Sequence, residues 1–237
     1  QEVVAILRAG RTVIRYVTIP EGLTRHQIAD VLNNAPGLTG AIGPLPPEGS
    51  LLPETYDYAF GDARALILRR MQESQIQVLA ALWGKRLEHP SITTPQDAVV
   101  LASIVEKETG RADERPRIAG VFLNRLRLGM RLQSDPTVAF AVTMGVRTLG
   151  RSLSRKDLAI DSPYNTYRIK GLPPGPISNP GRAAIAAVLQ PMQTKELYFV
   201  TDGAGGHVFA KSLKAHNRNA AKWRKLRDAS RPAPKNR

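Results

Sequence analysis

The 237-residue chain has no cysteine, few aromatic residues (5%) and far fewer acids than bases. Without cysteine it can form no disulfide, offer no thiol nucleophile and build no thiolate metal site. Its four histidines, at 26, 89, 207 and 216, are scattered without zinc-ligand spacing, so neither metal nor other cofactor is expected. Long hydrophobic runs are also missing. The longest uncharged stretch, Val31 to Pro47, carries four prolines and is too short and polar to span a bilayer. No signal peptide is evident. The chain opens on Gln1 instead of Met, which leaves room for a preceding signal or anchor. A Walker pattern, a GxGxxG turn and a hydrolase nucleophile elbow are absent as well.

What is present is a core-forming composition, 42% hydrophobic, under a net charge of +14. Part of that charge is local, because Lys222 to Arg237 holds seven basic residues and one acidic. Such a surface suits nucleic acid, anionic lipid or an acidic wall polymer, and plain solubility accounts for it equally well. Nucleic-acid binding would need aromatics interleaved with the basic patch. The tail has only Trp223, so no nucleic-acid partner is expected.

Val13 to Ile19 alternates and is rich in β-branched residues, which predicts a strand. A Pro20-Glu21-Gly22 turn follows. Thr24 then caps a short helix carrying Ile28, Ala29 and Leu32 on one face. This small α+β module ends in a Gly/Pro-rich connector, Ala35 to Gly49. Asp62 to Leu87 predicts a long amphipathic helix anchored by Leu66, Met71, Ile76, Leu79 and Leu82. Thr94-Pro95-Gln96-Asp97 opens a helix running to Thr109, with Gly110 as its stop. Further helices are expected over Asp113 to Leu128, closed by Gly129, and from Asp135-Pro136 to about Met144. Residues 150–182 read as a stiff, functional surface loop. A helix over Gly181 to Leu189, strands over Leu197 to Thr201 and His207 to Ala210, and a basic helix capped by Ser212 complete the chain. The expected class is α+β, with helix greatly exceeding strand.

One residue does not fit its surroundings. On a helical wheel, Ala98, Leu101, Ile104 and Val105 form an apolar stripe, and Glu108 falls in its middle. A carboxylate aimed into an apolar face is costly when charged, its pKa should rise, and a raised carboxyl suits a general acid. The alternative is a last-turn residue fraying into solvent or pairing with Arg111, Arg115 or Arg125. Glu106 and Lys107 fall off the stripe and read as surface or supporting residues. Gln133-Ser134-Asp135 sits at a helix start, where simple capping is the plainer explanation. Tyr164-Asn165-Thr166-Tyr167 combines flat rings with amide and hydroxyl groups, which suits sugar binding and suits loop packing equally.

These segments carry a family resemblance. Ala102-Ser103-Ile104-Val105-Glu106-Lys107-Glu108-Thr109 resembles the signature of the MltG (YceG-like) endolytic murein transglycosylases. The likeness continues through Val121 to Leu126, Gly129 to Thr137, Ser162 to Tyr167, Gly171 to Ile177 and Tyr198 to Val200. It takes in His207, His216-Asn217 and, upstream, Leu52 to Tyr56. Pro20-Glu21-Gly22 with Gln27-Ile28-Ala29 resembles a LysM-like subdomain.

The resemblance implies a LysM-like subdomain and connector at 1–48, a mainly helical, lysozyme-like catalytic domain at 49–221, and a basic tail at 222–237. The family's catalytic glutamate would fall at Glu106 or Glu108, and Glu108, followed by Thr109, matches the lytic transglycosylase pattern. Glu108 would protonate the oxygen between MurNAc and GlcNAc, then take the proton of the C6 hydroxyl, leaving a 1,6-anhydroMurNAc end and terminating glycan elongation. Gln133, Ser134, Asp135, Tyr164, Asn165, Tyr167 and Asn124 would hold substrate, with Glu106 and Thr109 in support. No cofactor or metal is implied. Expected partners are peptidoglycan glycan strands and peptidoglycan synthases. An N-terminal anchor outside this chain would hold it on the periplasmic side of the inner membrane. A non-catalytic glycan-binding scaffold is the competing reading.

Overall fold

The computed structural model describes residues 13–229. Among these it is an α+β fold with two small antiparallel sheets and eight helices. β1 (Ile14–Thr18) leads into α1 (Arg25–Asn33), whose start carries the capping box anticipated at Thr24. Thr24 Oγ1 accepts from Gln27 N, while Gln27 Oε1 accepts from Thr24 N. β2 (Thr55–Ala59) returns to pair with β1, Val17 opposite Tyr56. α2 (Arg64–Trp83) follows.

A first core gathers Val17, Ile19, Ile28, Leu32, Leu51, Tyr56, Tyr58, Ile67, Leu68 and Met71. This core draws on residues from both sides of residue 48. β1 alone leaves its ladder unpaired, so β2 and the first half of α2 complete both sheet and core. Of the predicted anchors of α2, Met71 is buried and Leu79 and Leu82 pack against the second core, but Ile76 does not face inward. Ile67, Leu68, Met71 and Gln75 are buried, and Ile76 stands 69% exposed. The helix is apolar on more than one side, and the neighbouring strands selected which side is covered.

The second core is built around α3 (Pro95–Glu108), α4 (Arg115–Arg127) and α7 (Arg182–Leu189). α3 starts as the sequence predicts, with Pro95 at its first turn. Thr94 Oγ1 accepts from Asp97 N, and Asp97 Oδ2 accepts from Thr94 N. Ala98, Leu101, Ile104 and Val105 are fully buried. Phe122 of α4 is buried among them and meets Phe199 edge to face at 5.6 Å. Truncating such a ring costs about 3–5 kcal/mol. α3 ends at Glu108, and its cap is Thr109. Its backbone is extended, φ −145° and ψ 137°, and its hydroxyl accepts from Arg111 N. Gly129 does close α4, in the left-handed region at φ +65°.

α5 (Asp135–Thr143) and the short α6 (Arg155–Leu158) follow. The 150–182 segment is not a surface loop. Its Asn165, Thr166, Ile177, Ser178 and Asn179 are buried, because a segment without regular pairing must find partners for its polar groups elsewhere. Asn179 ties the two cores together. Its Oδ1 accepts from Leu51 N, and its Nδ2 donates to Leu23 O and Glu48 Oε1. β3 (Tyr198–Thr201) and β4 (His207–Ala210) form the second hairpin. α8 (Leu213–Ala229) continues helically through the first half of the expected basic tail. The rest of that tail, 230–237, lies outside the described residues, as do residues 1–12. No helix among the described residues is long and apolar enough to cross a membrane.

Candidate active site

Glu108 is the last residue of α3. The stripe that buries this helix carries the carboxyl inward, where Ser134 Oγ donates to Oε1 at 2.5 Å. Ser134 is the residue before α5, placed to cap it, yet its hydroxyl makes no cap bond. That side chain serves Glu108 instead. Its backbone is clamped: Ser134 N donates to Thr166 Oγ1, Gln133 N donates to Thr166 O, and Thr137 Oγ1 donates to Ser134 O. Gln133 pays for the sharp entry with a left-handed backbone at φ +54°.

Burial pushes the Glu108 carboxyl up to about 7. The Ser134 hydrogen bond opposes that rise and the nearby Asp135 charge adds to it, while His207 and Arg125 lower it. Asp135 is exposed and accepts a 2.6 Å bond from the Tyr167 hydroxyl. Burial, then that bond, holds the Tyr167 phenol above its ordinary range. Arg125 lies beneath, 8% exposed, its guanidinium donating to the carbonyls of Arg131, Leu132 and Leu197. Behind α3, Thr109 Oγ1 donates to Glu114. Glu114 in turn accepts from His207 N at 2.9 Å and pairs with His207 Nδ1 at 2.7 Å.

Glu108, Gln133, Ser134, Asp135 and Tyr167 thus come together. Tyr164 packs against Phe140, with ring centroids 4.8 Å apart. Two expected sugar-binding residues are occupied differently. Asn165 is fully buried, with Nδ2 on Leu158 O and Ile160 O and Oδ1 accepting from Tyr167 N. Asn124 Nδ2 donates to Thr194 O and Glu196 O. Both fasten the backbone that carries the site. Glu106 is not a surface residue. Its side chain is 3% exposed, bonded to Arg115 Nη2 at 2.8 Å and accepting from Gly181 N. Arg115 also reaches Glu21, so this cluster bolts the first module to the C-terminal end of α3.

A cavity of about 420 Å³ opens between the first module and α5. Thr24, Gln27, Phe140, Leu149 and Ile177 line it, and it meets the site through Lys107 and Asp135, not Glu108 itself. Sequence reasoning gave Glu114 no role. It weighed Arg125 only as a partner for Glu108, and it included Thr166 and His207 only within longer segments. Arg125 falls at helical spacing from Ile118, Val121 and Phe122 on the apolar face.

The model of the YceG-like family matches residues 1–222. The chain belongs to the YceG-like family. It is 36% identical over 181 residues to the endolytic murein transglycosylase of Bacillus subtilis, covering 75% of this chain and 48% of that protein. With the endolytic murein transglycosylase of Streptococcus pneumoniae R6 it shares 30% over 251 residues, 88% of this chain and 44% of that protein. The chain therefore spans about half the length of these curated relatives. A crystal structure of a yceG-like protein from Listeria monocytogenes superposes with a TM-score of 0.70 at 31% identity, covering 92% of this chain and 80% of that one. The YceG-like assignment agrees with the resemblance carried by Ala102 to Thr109 and the blocks downstream.

Proposed function

We propose that this YceG-like chain is a lytic transglycosylase acting on peptidoglycan, with Glu108 as its acid and then its base. The observation that carries the reading is the Glu108 carboxyl at the end of α3, held by Ser134 and raised to about 7 by burial, next to Asp135, which lines a cavity. A group protonated near neutrality donates to a leaving oxygen and, once ionised, recovers a proton. Glu108 protonates the oxygen linking MurNAc to GlcNAc. The C1–O bond breaks as positive charge develops on the ring, stabilised by the substrate's own N-acetyl group. Ionised Glu108 then takes the proton of the C6 hydroxyl, whose oxygen closes onto C1. The products are a GlcNAc end and a 1,6-anhydroMurNAc end, and no water is consumed.

Gln133, Asp135, Tyr164 and Tyr167 hold sugars along the opening, and Ser134 orients the acid. The first module acts as a LysM-like glycan tether joined to a lysozyme-like catalytic body, raising the local substrate concentration. The cut is endolytic and ends strand growth, and peptidoglycan synthases are the partners. The full-length protein works on the periplasmic side of the inner membrane, anchored by a segment outside this chain. The names of the Bacillus and Streptococcus relatives support the substrate class.

The Asp135 carboxylate beside Glu108 favours one second reading, two-carboxylate hydrolysis of the same bond. Digestion of purified peptidoglycan, read by mass spectrometry, separates the two. Anhydro products, lighter by one water and lost in Glu108→Gln, are expected. Reducing-end products would replace the lyase by the hydrolase. Wild-type protein that binds glycan without cutting it would leave the scaffold.

A further inference from the structure

A second cavity, of about 560 Å³, lies on the other side of Tyr167. Its wall is Arg131, Arg155, Leu158, Ala159, Tyr167 and Arg168. Three guanidiniums arrive there from three segments: the stretch between α4 and α5, the start of α6, and the loop after Tyr167. Several arginines of the fold are ion-paired: Arg115 meets Glu106, Arg117 meets Glu196, and Arg151 meets Asp157, only four residues before Arg155. Among the described residues, the side chains of Arg131 and Arg155 have no hydrogen bond or ion pair. Arg168 reaches only Ala159 O at 3.5 Å and Asp161 at 3.9 Å, and the Asp161 side chain is fully exposed.

All three side chains are exposed, so it is the frame of their backbone segments that keeps them around one hollow. That frame is present. Asn165 bonds to Leu158 O and Ile160 O, Arg168 N donates to Asn165 O, and Ser154 and Asp157 cap α6 reciprocally. Tyr167 is the partition: one side of it belongs to the hollow, and its hydroxyl bonds Asp135 beside Glu108.

We infer that Arg131, Arg155 and Arg168 form an anion subsite that takes the free carboxylates of the substrate's peptide stem. This rests on the proposed reading of the site. The bond cut belongs to MurNAc, the sugar that carries the stem, so a stem leaves the substrate next to the reacting centre. Planar guanidinium forks match carboxylates in pairs of hydrogen bonds. The subsite makes the enzyme prefer strands that still carry their peptides.

The test compares two glycan preparations of equal length, one bearing stems and one stripped by an amidase. Wild-type kcat/KM on stem-bearing strands is expected to exceed that on stripped strands by about tenfold, the worth of one charge-assisted hydrogen bond. In Arg131→Gln/Arg155→Gln that ratio falls toward unity, and in the wild type it falls as salt is raised. Equal wild-type rates on both substrates, or a ratio that survives in the double variant, would overturn the inference. A binding arm is independent of cleavage. Soluble disaccharide-tetrapeptide is titrated into Glu108→Gln with and without the two arginine changes. A roughly tenfold weaker Kd without the arginines supports the subsite even if neither strand is cut, whereas an unchanged Kd refutes it. Inorganic pyrophosphate is the third probe. If it binds through these arginines and the disaccharide-tetrapeptide does not, the pocket serves a phosphate-bearing strand end and the stem assignment is wrong.

Discussion

Replacing Glu108 by Gln should stabilise the fold at neutral and alkaline pH while abolishing cleavage. Burial holds the Glu108 carboxyl at about 7, against 4.5 for a free glutamate. Between these values the unfolded chain releases the proton and the folded chain keeps it. The native state then binds more protons than the unfolded state, so stability falls as pH rises through this window. Below about 4.5 both states are protonated and the penalty is absent, and above about 7 it is complete. The full penalty is about 3 kcal/mol. Gln cannot ionise, and its carbonyl still accepts from Ser134 Oγ. Urea unfolding of both proteins measures the difference: the variant gains about 2–3 kcal/mol near pH 8 and nothing near pH 4. Glu48, also pushed up to about 7 by burial, titrates in both proteins and cancels. A gain equal at both pH values, or no gain under alkaline conditions, would refute the buried-acid argument. The same ionisation sets activity, so wild-type kcat/KM should decline as pH passes about 7.

Ser134→Ala removes the donor that favours ionised Glu108. Its alkaline pH limb should move upward, with a lower kcat, in a pH–rate profile. Arg115→Ala strands the buried Glu106 carboxylate and should cost about 3–5 kcal/mol by urea unfolding, and adding Glu106→Gln should recover part of the loss. Glu48→Gln should stabilise the protein as pH rises between 4.5 and about 7, and leave the alkaline limb of cleavage in place. Equal unfolding curves for Glu48→Gln and wild type at high pH would contradict its burial between Arg25 N and Asn179.

Legibility differed by the range of the interaction involved. The caps at Thr24 and Thr94 and the left-handed stop at Gly129 are short-range chemistry, and they stand as the sequence reads them. The stripe that carries Glu108 inward was equally plain, because a helix's period projects its residues onto one face.

Glu106 and Glu108 are the sharpest contrast. Both are glutamates on one helical turn, and both end up enclosed. Burial raises both carboxyls, but Glu106 is ion-paired with Arg115, which it shares with Glu21, while Glu108 has a hydroxyl partner and is pushed up to about 7. Periodicity along α3 singled out Glu108, but it could not place Arg115, nine residues from Glu106, or Ser134, twenty-six from Glu108. Likewise a buried asparagine and a sugar-binding one look alike in sequence, and only the carbonyls around Asn165 and Asn124 separate them. The chain's local patterns settle which segments are helical and put Glu108 on the apolar stripe of α3, since neighbours in sequence suffice for both. Which groups share a site, which charges find a partner and which arginines are left facing a hollow depend on segments tens of residues apart, and folding alone brings those together.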